Sequence, residues 1–374
     1  MAGLYLHIPF CKQACHYCDF HFSTKTDYAD RMGDAICREL AMRSTELESK
    51  TLDSVYFGGG TPSLLNEKQL DKIFEAILRQ FRLNDGAEIT LEANPDDLTR
   101  DKVKQLAHSP VNRLSMGIQS FHEAELKLMN RAHNAREARA ALDRVFDSGF
   151  TDITADLIFG MPGSSLSTWA ENLEEMLRWP LPHLSCYSLT VEPRTALHHQ
   201  VQQGRILLPD EEVVRGQFYH TIDFLAARNM AQYELSNFAL PGNEAVHNSA
   251  YWHGKPYLGI GPSAHSYTGA ARKKNIANNA QYMKAVEAAQ PEIEIEQLSD
   301  AERANESIMT ALRLREGLNW SLLHEQHPRY AAQVQQAAKT LINKGWLDES
   351  PEGVRLSREG KIMADRVMME LFVD

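Results

Sequence analysis

Three cysteines within eight residues, Cys11, Cys15 and Cys18, constrain this chain more than any other feature. They follow a short strand-like segment, Gly3 to Ile8, so the loop leaving that strand gathers three soft ligands in one place. The remaining cysteines are Cys37 and Cys186. An odd total with three crowded together argues against a disulfide framework and for reducing surroundings with a metal or cluster role. A cubane [4Fe–4S] cluster is normally held by four thiolates. Three at this spacing can wrap one face and leave one iron open to an added ligand. The alternative is a zinc site completed by His7, His16, His21 or Cys37, although zinc sites usually pair two short Cys/His hairpins and no second hairpin motif is present.

Strand-like and helix-like segments alternate after this loop. A helix is expected from about Asp27, with Met32, Ile36 and Leu40 at i+4 spacing and Cys37 beside them as a small core residue. Ser54–Phe57 reads as the next strand, closed by Gly58-Gly59-Gly60-Thr61-Pro62. The following helix carries Leu70, Ile73, Phe74, Ile77, Leu78 and Phe81 as one apolar stripe. Further strands are expected near 88–93, 113–119, 152–158 and 184–191, the last holding Cys186, with helices at about 126–148 and 167–178. Six such units predict an α/β fold, an incomplete (β/α)6 barrel of parallel strands. In such barrels the C-terminal strand ends form the active face. The cysteine loop, Gly58–Gly60, Glu92, Gln119 and Asp156 all fall at or near those ends, and a carboxylate within a strand is costly unless paired.

The charged, proline-bearing stretch from Gln290 to Asp300 marks a boundary. Beyond it, two helices (301–315 and 329–344), a hairpin around Ser350-Pro351-Glu352-Gly353 and a last helix predict a small helical, winged-helix-like module. The expected division is 1–235 for the barrel, 236–296 for a connecting region and 297–374 for the module. A net charge of −11 disfavours nucleic acid as a partner. The N-terminus lacks a signal-peptide pattern and no apolar run is long enough to span a membrane, so a cytoplasmic protein is expected.

His7-Ile8-Pro9-Phe10-Cys11 with Cys15, Tyr17 and Cys18, then Phe57-Gly58-Gly59-Gly60-Thr61-Pro62, resembles the radical S-adenosylmethionine (SAM) family that contains oxygen-independent coproporphyrinogen oxidase. The similarity runs on through Gly259-x-Gly261-x-Ser263-Ala264 and the C-terminal module. The resemblance implies that Cys11, Cys15 and Cys18 hold a [4Fe–4S] cluster. It also implies that Tyr5, Tyr17, Gly59, Gly60, Thr61, Glu92, Gln119, Arg131 and Asp156 surround SAM. Reductive cleavage of SAM in such proteins requires a low-potential electron donor.

Two departures separate the chain from the porphyrinogen-oxidising members. Those carry a further cysteine two residues after the third, where this chain has Phe20, and an extension ahead of the cluster motif, where here the first cysteine is already residue 11. His247-Asn248-Ser249-Ala250-Tyr251-Trp252 matches instead the HNxxYW motif of the family's haem-chaperone branch. The resemblance therefore implies a haem carrier serving acceptor haemoproteins, some of them in membranes, with transient work at the inner membrane face. Oxidative decarboxylation of coproporphyrinogen III is the alternative. His247 would be a haem ligand and Tyr251 and Trp252 flat apolar surface, or the segment is a structural turn whose aromatics fill core. Arg272-Lys273-Lys274 reads as a solvated basic run rather than a propionate site, and His198-His199 as surface.

Overall fold

Six parallel strands carry polar side chains on one face and apolar ones on the other, and this alternation organises the molecule. The computed structural model describes residues 2–374. The strands are β1 (Gly3–Ile8), β2 (Thr51–Gly59), β3 (Arg82–Ala93), β4 (Arg113–Gln119), β5 (Asp152–Phe159) and β6 (His183–Ser188), paired in sequence order. Leu4, Leu6, Val55, Phe57, Leu91, Leu114, Met116, Leu157 and Leu184 point outward into the helical layer and are fully or almost fully buried there. Tyr5, His7, Tyr56, Thr90, Glu92, Arg113, Ser115, Asp156, His183 and Ser185 line the inside. Parallel strands covered by protein on both faces read as continuous apolar runs. Here the alternation marks an interior kept for something other than side-chain packing.

The sheet grows at both edges without closing. Next to β6 lie β8 (Asn237–Ala239) and the short β7 (Ala231–Gln232). On the other side, β9 (Tyr257–Ile260) joins β1 in parallel. It is followed by antiparallel β10 (His265–Tyr267), β11 (Ala271–Asn275) and β12 (Ile293–Gln297). The result is one open twelve-stranded sheet, the incomplete barrel expected from the strand–helix alternation.

The covering helices follow their sequence signals. Helix Glu67–Gln80 starts at a reciprocal capping box between Asn66 and Gln69 and buries Leu70, Ile73, Phe74 and Ile77. Such a box satisfies two otherwise orphaned N–H groups, and each buried side chain contributes roughly 1.5–3 kcal/mol. Leu78 departs from the expected stripe: it is 54% exposed, one residue past the buried edge. The helix expected over 126–148 is two, Glu123–Leu128 and Ala135–Asp147, separated by Asn130 in the left-handed region at φ 55°. The strand expected to reach 191 ends at Ser188. Helix Glu211–Ala226 escaped the periodicity because its buried stripe includes Gln217 and Thr221. Gln217 accepts from the Gly160 N–H (2.8 Å), and Thr221 from the Trp169 indole (2.8 Å).

Residues 300–373 build a second core around Ile308, Leu312, Val334, Leu341, Val354, Val367 and Leu371. Its helices surround a three-stranded sheet of β13 (Leu318–Asn319), β14 (Leu347–Ser350) and β15 (Gly353–Leu356), in the order β13-β15-β14. It meets the barrel through Arg358–Asp223, Arg313–Glu234 and Arg272–Glu306.

Candidate functional site

The cysteine loop is clamped onto the interruption between helices Glu123–Leu128 and Ala135–Asp147. Gln13 donates to Asn130 (2.8 Å), Asn130 donates to the Ala14 carbonyl (2.8 Å), and the His16 N–H and ring bond Met129 and Leu128 carbonyls. Asn tolerates the left-handed conformation that this junction needs. The same break turns Arg131 inward. Its guanidinium donates to Asn94 (2.6 Å) and the Gly117 carbonyl (2.9 Å), and points at Cys15 Sγ and Tyr17 Oη (both 3.3 Å). Thr61 donates to Cys11 Sγ at 3.4 Å.

All three cysteines are free thiols, and burial pushes Cys11 up to about 11 and Cys18 up to about 12. Binding a metal centre as thiolates would release those protons. Among the described residues, no three His, Cys, Asp or Glu side chains are grouped to hold a metal ion. A cubane places its irons at separate corners and makes a different demand from a single ion. Donors already aimed at two of the sulfurs fit thiolates in that role, and Arg131 Nε is buried without a partner beside them.

Above the loop the backbone is shaped for close approach. Gly59 sits at φ 100°, and a Cβ there would fall 2.5 Å from the His7 ring; one on Gly60 would fall 2.6 Å from the Ile8 and Phe10 carbonyl oxygens. Only residues without side chains fit. Glu92 accepts from Tyr56 Oη (2.8 Å) and the Gly59 N–H (3.2 Å). Burial, with Asp156 nearby, pushes it up to about 7. Asp156 is pushed up to about 6 by burial, with Ser185 opposing. Gln119 lines the same space from φ 67°, at a register irregularity in β4. A residue with a side chain in that region carries strain of the kind that gathers at functional sites.

These groups open into one cavity of about 1250 Å³. Ordinary small-molecule sites occupy ~300–1,000 Å³, so the space admits two ligands. Its mouth carries Phe20, 68% exposed, with Tyr187 and Leu189. Tyr5, Tyr17, Glu92, Gln119 and Asp156 therefore share one cavity; Gly59, Gly60, Thr61 and Arg131 do not line it, and Gly59, Thr61 and Arg131 touch Glu92, Cys11, Cys15 and Tyr17 behind its wall.

The HNxxYW segment lines the same cavity from its other end, through His247, Asn248, Tyr251 and Trp252. It forms helix Val246–Trp252 under the N-terminal strand ends. Glu88 accepts from the Val246 and His247 N–H groups (2.7 and 2.9 Å) and so caps the helix. His247 Nδ1 bonds Ser54 (2.8 Å), and its ring stacks on Tyr56 at 5.1 Å; burial holds it down at about 4. Along the interior face of β2, Ser54 marks the bottom, Tyr56 the middle and Gly58 the top. Six residues, roughly 20 Å at ~3.3 Å each, separate His247's anchor from Gly60. Tyr251, 45% exposed, meets Trp252 edge-on at 5.0 Å, and Arg313 covers the Trp252 ring at 4.5 Å.

Arg272-Lys273-Lys274 is not a free basic run. It is strand β11, where Arg272 pairs with Glu306 and Glu296, and Lys273 with Glu46. Residues that sequence reasoning missed are Asn94, Asn130, Tyr56 and Glu88. None belongs to a motif, and each matters through a partner far away in the chain.

Residues 5–176 match the Radical SAM superfamily and residues 298–362 the HemN C-terminal domain. The chain is 33% identical over 371 residues to a protein named heme chaperone HemW from Bacillus subtilis, covering 98% of each. It is 33% identical to the protein of the same name from Mycobacterium tuberculosis, covering 99% of this chain and 94% of that one. A mitochondrial radical S-adenosyl methionine domain-containing protein 1 from Bos taurus is 31% identical, over 99% and 87%. The solved structure of coproporphyrinogen III oxidase (HemN) from Escherichia coli superimposes with a TM-score of 0.85 at 24% identity, over 100% of this chain and 90% of that one. That likeness establishes the fold.

Proposed function

The chain belongs to the HemW family of radical SAM proteins, and from that premise we propose that it binds haem and delivers it to acceptor haemoproteins. The observation that carries the reading is the match, over nearly the whole length of both chains, to relatives named as haem chaperones. The cavity supports it, being large enough for a tetrapyrrole beside a second ligand and rimmed by exposed aromatic side chains. Phe20 presents an apolar ring at the mouth, where the oxidases carry another thiol.

In this reading Cys11, Cys15 and Cys18 hold a [4Fe–4S] cluster with one iron open. Tyr5, Tyr17, Gly59, Gly60, Thr61, Glu92, Gln119, Arg131 and Asp156 receive SAM. Cluster and SAM together supply one-electron reducing chemistry when bound, given a low-potential donor. Arg131 suits a ligand carboxylate, and Glu92 and Asp156 suit hydroxyl or cationic groups. Tyr251 and Trp252 offer flat surface to haem, and His247 fixes the helix that carries them. Among the described residues no helix is long and apolar enough to cross a membrane. Service to membrane haemoproteins then means transient contact.

Incubation of reconstituted protein with SAM, a strong reductant and coproporphyrinogen III tests the reading. Intact propionates are expected. Decarboxylation with matching release of 5′-deoxyadenosine would make the chain an oxidase.

A further inference from the structure

Four histidines line the cavity: His7, His183, His247 and His265. Two are committed to the fold through both ring nitrogens, and a third through one. His7 uses both ring nitrogens, on Tyr5 Oη (3.1 Å) and the His21 carbonyl (2.8 Å). His183 uses both on Thr154 (2.6 Å) and Tyr233 (2.9 Å). His247 is tied through Nδ1 to Ser54 and stacks on Tyr56, while its Nε2 makes no hydrogen bond among the described residues. His265 is exposed, and its imidazole makes no hydrogen bond among the described residues.

The Gly259-x-Gly261-x-Ser263-Ala264 segment explains how His265 comes to be there. A Cβ on Gly259 would lie 1.9 Å from the His265 carbonyl oxygen, and one on Gly261, at φ 105°, 2.5 Å from that of His7. Ser263 holds φ 65°. The two glycines thus let the chain reverse in contact with itself and with β1, and the reversal starts β10 with His265 level with Gly259 and, across β9, with Tyr5 in the middle of β1. Strain at a residue with a side chain is retained where the surroundings require it. The product of this turn is an accessible imidazole on the cavity wall near His7. Across the ladder His265 faces Lys274, which faces Glu294 in turn, and all three line the cavity. Burial and the neighbouring Lys274 and Arg272 cations hold His265 below the ordinary histidine range, so the ring is a neutral lone-pair donor at pH 7.

We propose that His265, presented by the glycine turn, is the axial ligand to the haem iron, while His247 is a positioning residue for the HNxxYW helix. This rests on the haem-carrier reading and refines it. One imidazole lone pair coordinates the iron, and no other bond forms or breaks. Neutral histidine is the commonest proximal ligand to haem iron. Ligation here places the iron at the β9–β10 wall of the cavity rather than against the helix that carries His247.

The test is an anaerobic titration of cluster-reconstituted protein with ferric haem, read by optical and electron paramagnetic resonance spectra. The unaltered protein should give a saturable nitrogen-ligated spectrum. His265→Ala should lose that signature and bind haem about tenfold or more weakly, ~1.4 kcal/mol, and free imidazole should restore the spectrum. His247→Ala should keep the signature. Iron, sulfide and melting midpoint of each variant report folding, and His265→Gln serves if the alanine variant is unstable. An unchanged spectrum in His265→Ala or His265→Gln overturns the ligand assignment alone, as does loss of the signature in a folded His247→Ala. No saturable change with the unaltered protein removes the carrier reading itself.

Discussion

The two ends of the barrel are built on opposite principles. At the N-terminal end most interior polar groups are paired with one another, although Arg113 Nη2, Thr90 Oγ1 and Trp252 Nε1 have no hydrogen-bond partner among the described residues. Glu88 caps helix Val246–Trp252, Arg113 pairs with Asp152 and Glu88, Ser54 bonds His247, and His183 links Thr154 to Tyr233. At the C-terminal end polar groups remain unfinished. Among the described residues Arg131 Nε has no hydrogen-bond partner, the cysteines are free, and Glu92 and Asp156 are carboxyl groups held towards their neutral forms by burial. A buried donor without an acceptor, or a buried carboxyl without a cation, costs stability. The thiols, Arg131 and the two raised carboxyl groups together mark the C-terminal end as a place where ligands complete the structure, and the more fully paired end holds it in shape. Tyr56 joins them, stacked on His247 below and bonded to Glu92 above.

The largest effects are expected from the thiols. Cys11→Ala, Cys15→Ala or Cys18→Ala should each abolish iron and sulfide incorporation, whereas Cys37→Ser and Cys186→Ser should retain both. Cys186 is buried in the outer core, so Cys186→Ser should also lower stability by about 1–3 kcal/mol through a hydroxyl placed in an apolar site. Loss of the cluster in Cys37→Ser, read by metal analysis, would break the three-ligand assignment.

Next in size is the paired floor. Glu88→Ala strips the acceptor from two helix N–H groups and leaves Arg113, 2% exposed, with one carboxylate fewer. Chemical denaturation should show a loss of about 2–4 kcal/mol, with cluster assembly intact. The upper end should behave in the reverse way. Glu92→Ala, Asp156→Ala and Arg131→Ala should each weaken SAM by about 1–3 kcal/mol with little loss of fold stability. Titration calorimetry with unchanged SAM affinity in all three would remove the site from this end.

The last effect is a pH dependence. Glu92 and Asp156 have folded values raised to about 7 and about 6 by burial. The native state then binds more protons than the unfolded chain across roughly pH 4–7, and stability falls as pH rises through that window. At ~1.4 kcal/mol for each unit by which the two values are raised, the combined loss should approach ~6 kcal/mol, flattened in Glu92→Gln/Asp156→Asn and when SAM is present. Urea midpoints that do not move over this range would mean that both carboxyl groups already have partners.

What could be read from the chain was whatever is written locally. The cysteine spacing, the glycines at 58–60 and the alternation that places Glu92 and Asp156 on one face are all properties of short segments, and the structure gathers them around one cavity. Asn130 was hidden because its role depends on a left-handed break inside what reads as one helix. Glu88 was hidden because its partners are more than 150 residues away. The HNxxYW motif was visible as letters, but its position under the strands comes from pairings to Ser54 and Glu88 that no periodicity encodes. Leu78 erred in the other direction: it has the right spacing for the buried stripe, on a helix whose packed face is narrower than its apolar one.

The most direct test of the carrier reading is haem transfer. Protein with its cluster reconstituted is loaded with one equivalent of haem, freed of excess, and mixed with SAM and an apo-haemoprotein. Acceptor activity should then appear in proportion to the haem lost from the carrier, faster than from free haem at the same concentration. Haem that stays on the protein, or passes to the acceptor no faster than free haem does, would contradict the account.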